Sequence, residues 1–310
     1  MHELQRADLV AAVDRTVSEH LGRRWVRYGF VDLNDRASHP CGIHRGDGFD
    51  VFVKHSASRD GAEQFDLECR GLRFLEWHGG ARIPVPVGTG VVTAGDGALL
   101  LLEAAPEVSP SDRSPADWRA IGTALAEMHS HTGATFGLAG LDGFFGPLRQ
   151  DNRPVASNRW LDFFRERRLE PFRALAAASG HLPAELHAPL DALTDRLPGL
   201  VGPEPIPTLL HGDAQQNNFL TSPAGQAVVI DASPFYGHPE NDLAMLDIFA
   251  PVPDDVFDAY RERHPLDAGF AGRRELWRVP VYLAAIAVSG ATPFGRSFIP
   301  RLENALAGLG

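Results

Sequence analysis

HGDAQQNNFL, residues 211–220, follows a short apolar run and carries an aspartate, Asp213, and an asparagine, Asn218, five positions apart. Downstream, VVIDASPFYGH (228–238) ends a second apolar run with Asp231, thirteen residues after Asn218. A carboxylate, an amide and a second carboxylate on adjacent loops make a hard-oxygen site for Mg²⁺, with one carboxylate left over for proton work. HGD alone is equally compatible with a turn or a helix cap. The reading depends on what the rest of the chain brings to these loops.

The first contribution is a lysine. VFVKHS (51–56) holds Lys54, the only lysine in the chain; the other 28 basic residues, histidine aside, are arginines. The arginine bias reflects codon usage, and a surface lysine would have drifted to arginine at little cost. A retained ammonium at the end of an apolar strand therefore carries information. In GAEQFDLECRGLRFLEWH (61–78), helical period puts Phe65, Leu72 and Leu75 on one inward stripe, and Glu68 falls on it. A carboxylate on an apolar face is costly unless paired. Lys54 is the obvious partner. A structural ion pair is one reading; a lysine held by a glutamate so that it reaches phosphates is the sharper one.

Composition narrows the class. The 310 residues suit two modest domains or one bilobal unit. A net charge of −11 argues against broad nucleic-acid binding and against an anionic membrane surface, and it favours solubility. Two cysteines, Cys41 and Cys69, give neither a disulfide framework nor metal spacing. The N-terminal MHELQRADLVAAVDRTVSEH is charged and helix-like without an apolar signal core, and no run reaches membrane-span length. The expectation is a cytoplasmic protein.

Residues 3–20 read as an amphipathic helix. Strand patterns follow at 27–33 and 49–54, the second entered through the turn GDG, then the helix 61–78 and strands 85–92 and 98–103 joined by TAGDGA. After the Pro- and Ser-rich 104–115 the pattern turns helical, at 116–131, 157–179, 183–197, 239–249, 254–263 and 268–289, interrupted by the apolar runs 206–213 and 226–231. The fold class expected is α+β, with a small β-rich lobe (1–103) and a larger helical lobe (104–310).

The ordered set Lys54, Glu68, Asp213, Asn218 and Asp231 resembles the aminoglycoside phosphotransferase and protein-kinase-like fold, and within it the fructosamine-3-kinase (ketosamine kinase) family. The stretches that carry the likeness are FVK (52–54), FDLECRGLRFL (65–75), FGLAGLDGFFGPLRQDN (136–152), WLDFFRERRLEPFRALA (160–176), HGDAQQNN (211–218) and IDASPFYGHPENDLAMLDIF (230–249). FGPLRQDN and FYGHPENDLAML separate this family from antibiotic kinases. The resemblance implies ATP and Mg²⁺ as cofactors. Lys54, oriented by Glu68, would bind the α/β-phosphates, and Glu103, Ala104 and Ala105 would form the hinge that holds adenine. Asp213 would be the base, Asn218 and Asp231 would hold the metal, and His211 and Asp242 would brace the catalytic loop. Gln150, Asn152, Tyr236 and His238 are assigned to the substrate side.

Three departures from the family pattern stand out. LNDRASHPCGIHRGDG lacks the family's Gly-Gly pair, Ala214 and Gln215 replace a Leu-Trp, and Cys41 falls in the phosphate loop, where a small half-buried hydrophobe is its ordinary reading. Trp77, Trp118, Trp160 and Trp277 read as core, and RERR (165–168) as a solvated helix face with one inward arginine. The function expected is ATP-dependent phosphorylation of a sugar hydroxyl on a ketosamine, as a small molecule or on a glycated lysine, by a monomer or weak dimer. The alternatives are an aminoglycoside or other small-metabolite phosphotransferase and, outside enzymes, a nucleotide-binding pseudokinase module.

Overall fold

The computed structural model describes residues 2–34 and 39–309. Helix α1 (Ala7–Leu21) ends on Gly22 in the left-handed conformation and leads into the strands β1 (Arg27–Asp32), β2 (Cys41–Gly46) and β3 (Phe49–Ser56). Helix α2 (Gly61–Gly79) follows, then β4 (Pro86–Ala94) and β5 (Gly97–Glu103). The strands form one antiparallel sheet in the order β1-β2-β3-β5-β4. Strand alternation sorts its two faces. Val51, Val53, Leu99 and Leu101 pack with Leu9, Val13 and Val17 of α1, while Leu100 and Leu102 join the larger core that contains Phe65 and Leu72 of α2. Lys54 sits opposite Leu100 in the β3–β5 register and shares the α2 face, which is why its ammonium meets Glu68.

A Pro-rich connection leads to α3 (Pro115–His129), started by a capping box in which Ser114 and Asp117 satisfy each other's backbone N–H groups. The hairpin β6 (Gly143–Phe145) and β7 (Leu148–Gln150) comes next. A long helix then runs as α4 (Trp160–Phe164), a π-helical stretch (Arg165–Leu169) and α5 (Glu170–Ala178). The π turn swings Arg168 inward, over the rings of Phe235 and Phe163 and onto Asn152, so one arginine of RERR is core. Beyond it lie α6 (His187–Leu200), β8 (Thr208–Leu210), β9 (Phe219–Thr221), β10 (Ala227–Val229) and β11 (Phe235–Gly237). The chain finishes with α7 (Pro239–Met245), α8 (Asp254–Arg261), α9 (Phe270–Ser289), α10 (Pro293–Arg296) and α11 (Phe298–Gly308). Helix α9 is the spine of the helical lobe, with α5, α7 and α11 packed around it.

The architecture is the expected bilobal α+β. The apolar runs 206–213 and 226–231 hold β8 and β10, while strand β2, the β6–β7 hairpin, the partner strands β9 and β11 and helices α10 and α11 are additional to the sequence reading. Trp118, Trp160 and Trp277 are core, but Trp77 is 77 % exposed, because it lies on the outer face of α2, opposite the Phe65–Leu72 stripe. Gly42, Gly46 and Cys41 belong to β2. A Cβ on Gly42 would meet the Phe30 ring at 2.5 Å, so this glycine serves the packing of β1 on β2. Residues 35–38 of the expected phosphate loop lie outside the described residues.

Candidate active site

Two cavities meet at Lys54. The first, of about 300 Å³, is a slot between the lobes with Leu33, Ile43, Phe52, Leu102, Leu220 and Ile230 as apolar walls and Glu103, Ala104 and Ala105 along one edge. The second is a cleft of about 720 Å³ whose lining includes Asp213, Gln215 and the β6–β7 hairpin. Lys54, Glu68, Asn217, Asn218 and Asp231 line both. An apolar slot opening onto a polar junction and then a larger cleft is the arrangement needed to hold a base, its phosphates and an acceptor in sequence.

At the junction, Lys54 Nζ donates to Glu68 Oε1 at 2.9 Å and also contacts Asp231 Oδ1. One ammonium thus holds two carboxylates, both partly shielded from solvent. Asp231 has φ +53°, in the left-handed region that aspartate tolerates better than most residues. The preceding residue anchors this turn: Ile230 N–H donates to Asn218 O at 3.0 Å, and Ser233 N–H donates to His211 O at 2.9 Å. The two loops named by the sequence are therefore stitched together through their backbones. Gly212 is required here, with φ +82° and space in which a Cβ would lie 1.9 Å from Ser233 O.

Asp213 is held on one side only. Asn218 Nδ2 donates to its backbone oxygen at 2.8 Å and to Oδ2 at 3.0 Å, while Oδ1 is buried with no hydrogen-bond partner among the described residues. Burial pushes the carboxyl up to about 7, and the Asp242 charge adds to this against the lowering effect of Asn218. His211 accepts the Asp213 N–H at Nδ1 and donates from Nε2 to Ile230 O, which fixes a neutral tautomer; burial lowers its pKa to about 4. Asp242 accepts the N–H groups of His211 and Gly212 at 2.6 and 3.1 Å and faces His129. His211 and Asp242 are thus placed as braces of the loop.

Glu103 N–H and Ala104 N–H donate to Val85 O and Asp50 O, which fixes the backbone along the slot's edge. Cys41 also lines the slot, buried at the start of β2 beside Lys54 in register. The four residues assigned to the substrate side do not line the cleft. Asn152 is fully buried and engaged with Leu141 O, Pro234 O and Arg168. His238 caps α7 by accepting Glu240 N–H and packs on Trp277. Gln150 is buried in β7, and Tyr236 lies edge-on to Phe74. Their motifs do reach the cleft through apolar neighbours instead, Phe144 to Pro147 and Phe249, which a search for polar side chains passes over.

The family model for fructosamine kinase matches residues 10–306. The chain belongs to the fructosamine kinase family. It is therefore a kinase, an enzyme that uses a nucleotide to phosphorylate an alcohol group. A probable ketoamine kinase of Enterococcus faecium is 30% identical over 241 residues, which is 77% of this chain and 82% of that protein. The crystal structure of a putative fructosamine-3-kinase from Thermobifida fusca superposes with a TM-score of 0.77 at 30% identity, covering 96% of this chain and 99% of the other. Aminoglycoside phosphotransferase APH(4)-Ia shares the fold, with a TM-score of 0.62 at 17% identity over 96% of this kinase and 99% of its own chain. Among the described residues of the kinase, no helix is long and apolar enough to cross a membrane.

Proposed function

We propose that this kinase transfers the γ-phosphoryl group of Mg·ATP to a sugar hydroxyl of a ketosamine, a fructosamine or ribulosamine that is free or carried on a glycated lysine. Residues 1–103 form the nucleotide lobe and 104–310 the catalytic and substrate lobe. The observation that carries the reading is the placement of Lys54. Its ammonium, held by Glu68, lies where the apolar slot and the acceptor cleft join, with Asp213 on the acceptor side.

Adenine occupies the slot against the Glu103–Ala105 edge. Lys54 keeps Glu68 and exchanges its contact with Asp231 for oxygens of the α- and β-phosphates; a compact ammonium can do this in a narrow space where a planar guanidinium cannot. The donor set suits a divalent cation. Asn218 uses its amide N–H₂ on Asp213, which leaves its oxygen for the metal, and Asp231 adds one carboxylate, the number Mg²⁺ usually takes beside substrate phosphates. When bound, Mg²⁺ neutralises the phosphate oxygens during transfer. Asp213 accepts the proton of the acceptor hydroxyl at Oδ1 as that oxygen bonds to the γ-phosphorus. The bond from phosphorus to the bridging oxygen breaks and ADP leaves. A base whose pKa is near 7 is matched to this task, and the Asn218 contact on Oδ2 keeps Oδ1 turned to the acceptor. Most of the rate comes from positioning and charge neutralisation.

The test is ADP release from Mg·ATP with fructosyl-lysine, ribulosyl-lysine, a panel of aminoglycosides, or no acceptor. Strong stimulation by a ketosamine alone is expected. Stimulation by an aminoglycoside alone would move the acceptor class, and no stimulation by any of them would refute the proposal.

A further inference from the structure

A set of apolar side chains lines the 720 Å³ cleft, three of them exposed at its rim. Phe144, Phe145 and Pro147 reach it from the β6–β7 hairpin, Phe249 from beyond α7, Val288 from the end of α9 and Phe294 from α10. Phe249, Val288 and Phe294 are 38, 43 and 55 % exposed and make up three of the nine exposed large apolar side chains among the described residues. Scattered exposed apolar groups need no explanation, but three gathered at the mouth of a catalytic cleft do.

The group is braced rather than loose. Phe249 and Phe294 stack at 6.3 Å, and both lie edge-on to the buried Phe298 at 6.2 and 5.1 Å. Phe145 packs on buried Phe172 at 6.4 Å. The hairpin turn is fixed to α2, where Gln64 Nε2 donates to Gly146 O at 3.0 Å.

Few of the cleft's lining residues are titratable. The titratable residues lining the cleft are His39, Lys54, Glu68, Asp213 and Asp231. Lys54, Glu68 and Asp231 are joined to one another, Asp213 is the base, and His39 lies edge-on to Phe65 of α2. None lies on the β6–β7 hairpin, α9 or α10, so these elements offer a projecting carboxylate or ammonium no counter-ion among the cleft's lining residues.

A ketosamine has two parts. Its sugar hydroxyls must reach Asp213, and the substituent on its amine must then leave the sugar elsewhere. We infer that the phenylalanine-lined end of the cleft is the site for that substituent, and that it selects ketosamines formed on aromatic or long-alkyl amines over those formed on short or anionic amines. The inference rests on the ketosamine reading and adds the amine half of the substrate. The ring faces also suit the secondary ammonium that every ketosamine carries next to the sugar.

The test holds the sugar constant and changes the amine. Fructosyl-phenethylamine, fructosyl-methylamine and fructosyl-glycine are compared by kcat/KM with the unmodified enzyme and with the Phe249→Ala/Phe294→Ala double variant. For the unmodified enzyme the phenethylamine adduct is expected to exceed each of the others by at least about tenfold, the scale of one apolar group entering a pocket. In the variant the ratio should fall to within about threefold, because the two stacked rings that receive the substituent are gone. Equal values for the three adducts with the unmodified enzyme, or a ratio unmoved in the variant, would overturn the inference while leaving a working ketosamine kinase. Absence of turnover with all three and with the matching ribulosyl adducts would instead refute the ketosamine reading, and the inference with it.

Discussion

Lys54→Arg keeps the charge and follows the chain's habit at all its other basic positions. Lys54 is only 5 % exposed and its Nζ lies 2.9 Å from Glu68 Oε1 while touching Asp231. A guanidinium is wider and longer than the ammonium, so it must displace a carboxylate or push α2 away from β3. Overpacking of that kind costs about 1–3 kcal/mol. At about 2.1 cal/mol/K of unfolding entropy per residue, each kcal/mol moves the Tm of this 310-residue chain by roughly 1.5 °C, so unliganded melting should fall by about 1.5–5 °C. The displacement matters more for catalysis, because a phosphate contact misplaced by about 1 Å can cost ~100-fold in rate. Differential scanning fluorimetry and ADP release measure the two effects. Lys54→Met separates packing from charge. It nearly preserves shape but leaves Glu68 and Asp231 without their cation, and because both carboxylates keep some solvent the loss should fall below the ~3–5 kcal/mol of a fully buried pair while exceeding the cost of the Arg variant. Stability should therefore rank wild type, Arg, Met, with both variants inactive. A Lys54→Arg enzyme with turnover within a few-fold of wild type, or a Met variant that melts like wild type, would refute the reasoning.

Asp213→Asn should lower turnover by about 10²–10⁴-fold and leave ATP affinity within a few-fold by calorimetry, because the base acts on the acceptor. For the wild type, kcat/KM should rise with pH through about 7 and level off as Asp213 ionises. Stability responds in the opposite sense. A carboxyl whose pKa is raised by folding contributes stability that is complete below the ordinary carboxylate range and lost as pH rises through about 7. Asp213→Asn should then melt higher than wild type at pH 8, with the gap closing toward pH 4. Asp231→Ala should remove most of the Mg²⁺-dependent part of nucleotide affinity, and an unchanged titration would remove Asp231 from the metal site. Cys41→Ser should be close to neutral under reducing conditions, since the thiol acts as a small buried side chain at the slot's edge; a large loss of activity would give it a functional role.

The Lys54–Glu68 pair was legible because two local rules converge on it. Strand alternation sends Lys54 to the α2 face, and helical period puts Glu68 on the stripe that meets that face. HGD was legible because Asp213, Asn218 and Asp231 follow one another on loops after two apolar runs, and the structure adds that a Cβ at Gly212 would meet Ser233 O. Strand β2 was not, since Gly42 and Gly46 interrupt its alternation and its place depends on contact with Phe30 and Trp25. The ladders β8–β11 and β9–β10 join strands of three residues whose pairing is decided by the packed core and not by local pattern. Helix α11 left a usable signal, with Phe298, Leu302, Ala305 and Leu306 on one face and Pro300 confined to the first turn, where proline is tolerated. In the cleft, polar residues of FGPLRQDN and FYGHPE drew attention. The sequence does not reveal that Asn152 would be saturated by backbone oxygens and Arg168, or that the adjacent phenylalanines would face the cavity.

The most direct test of the account is the identity of the phosphorylated product. Fructosyl-lysine and ribulosyl-lysine are incubated with Mg·ATP and the kinase, and the products are examined by mass spectrometry and phosphorus NMR. The account predicts one added phosphoryl group, on a sugar hydroxyl, formed in step with ADP and absent when Asp213→Asn replaces the wild type. Intact ketosamines alongside a phosphorylated aminoglycoside, or product formed equally well by Asp213→Asn, would contradict it.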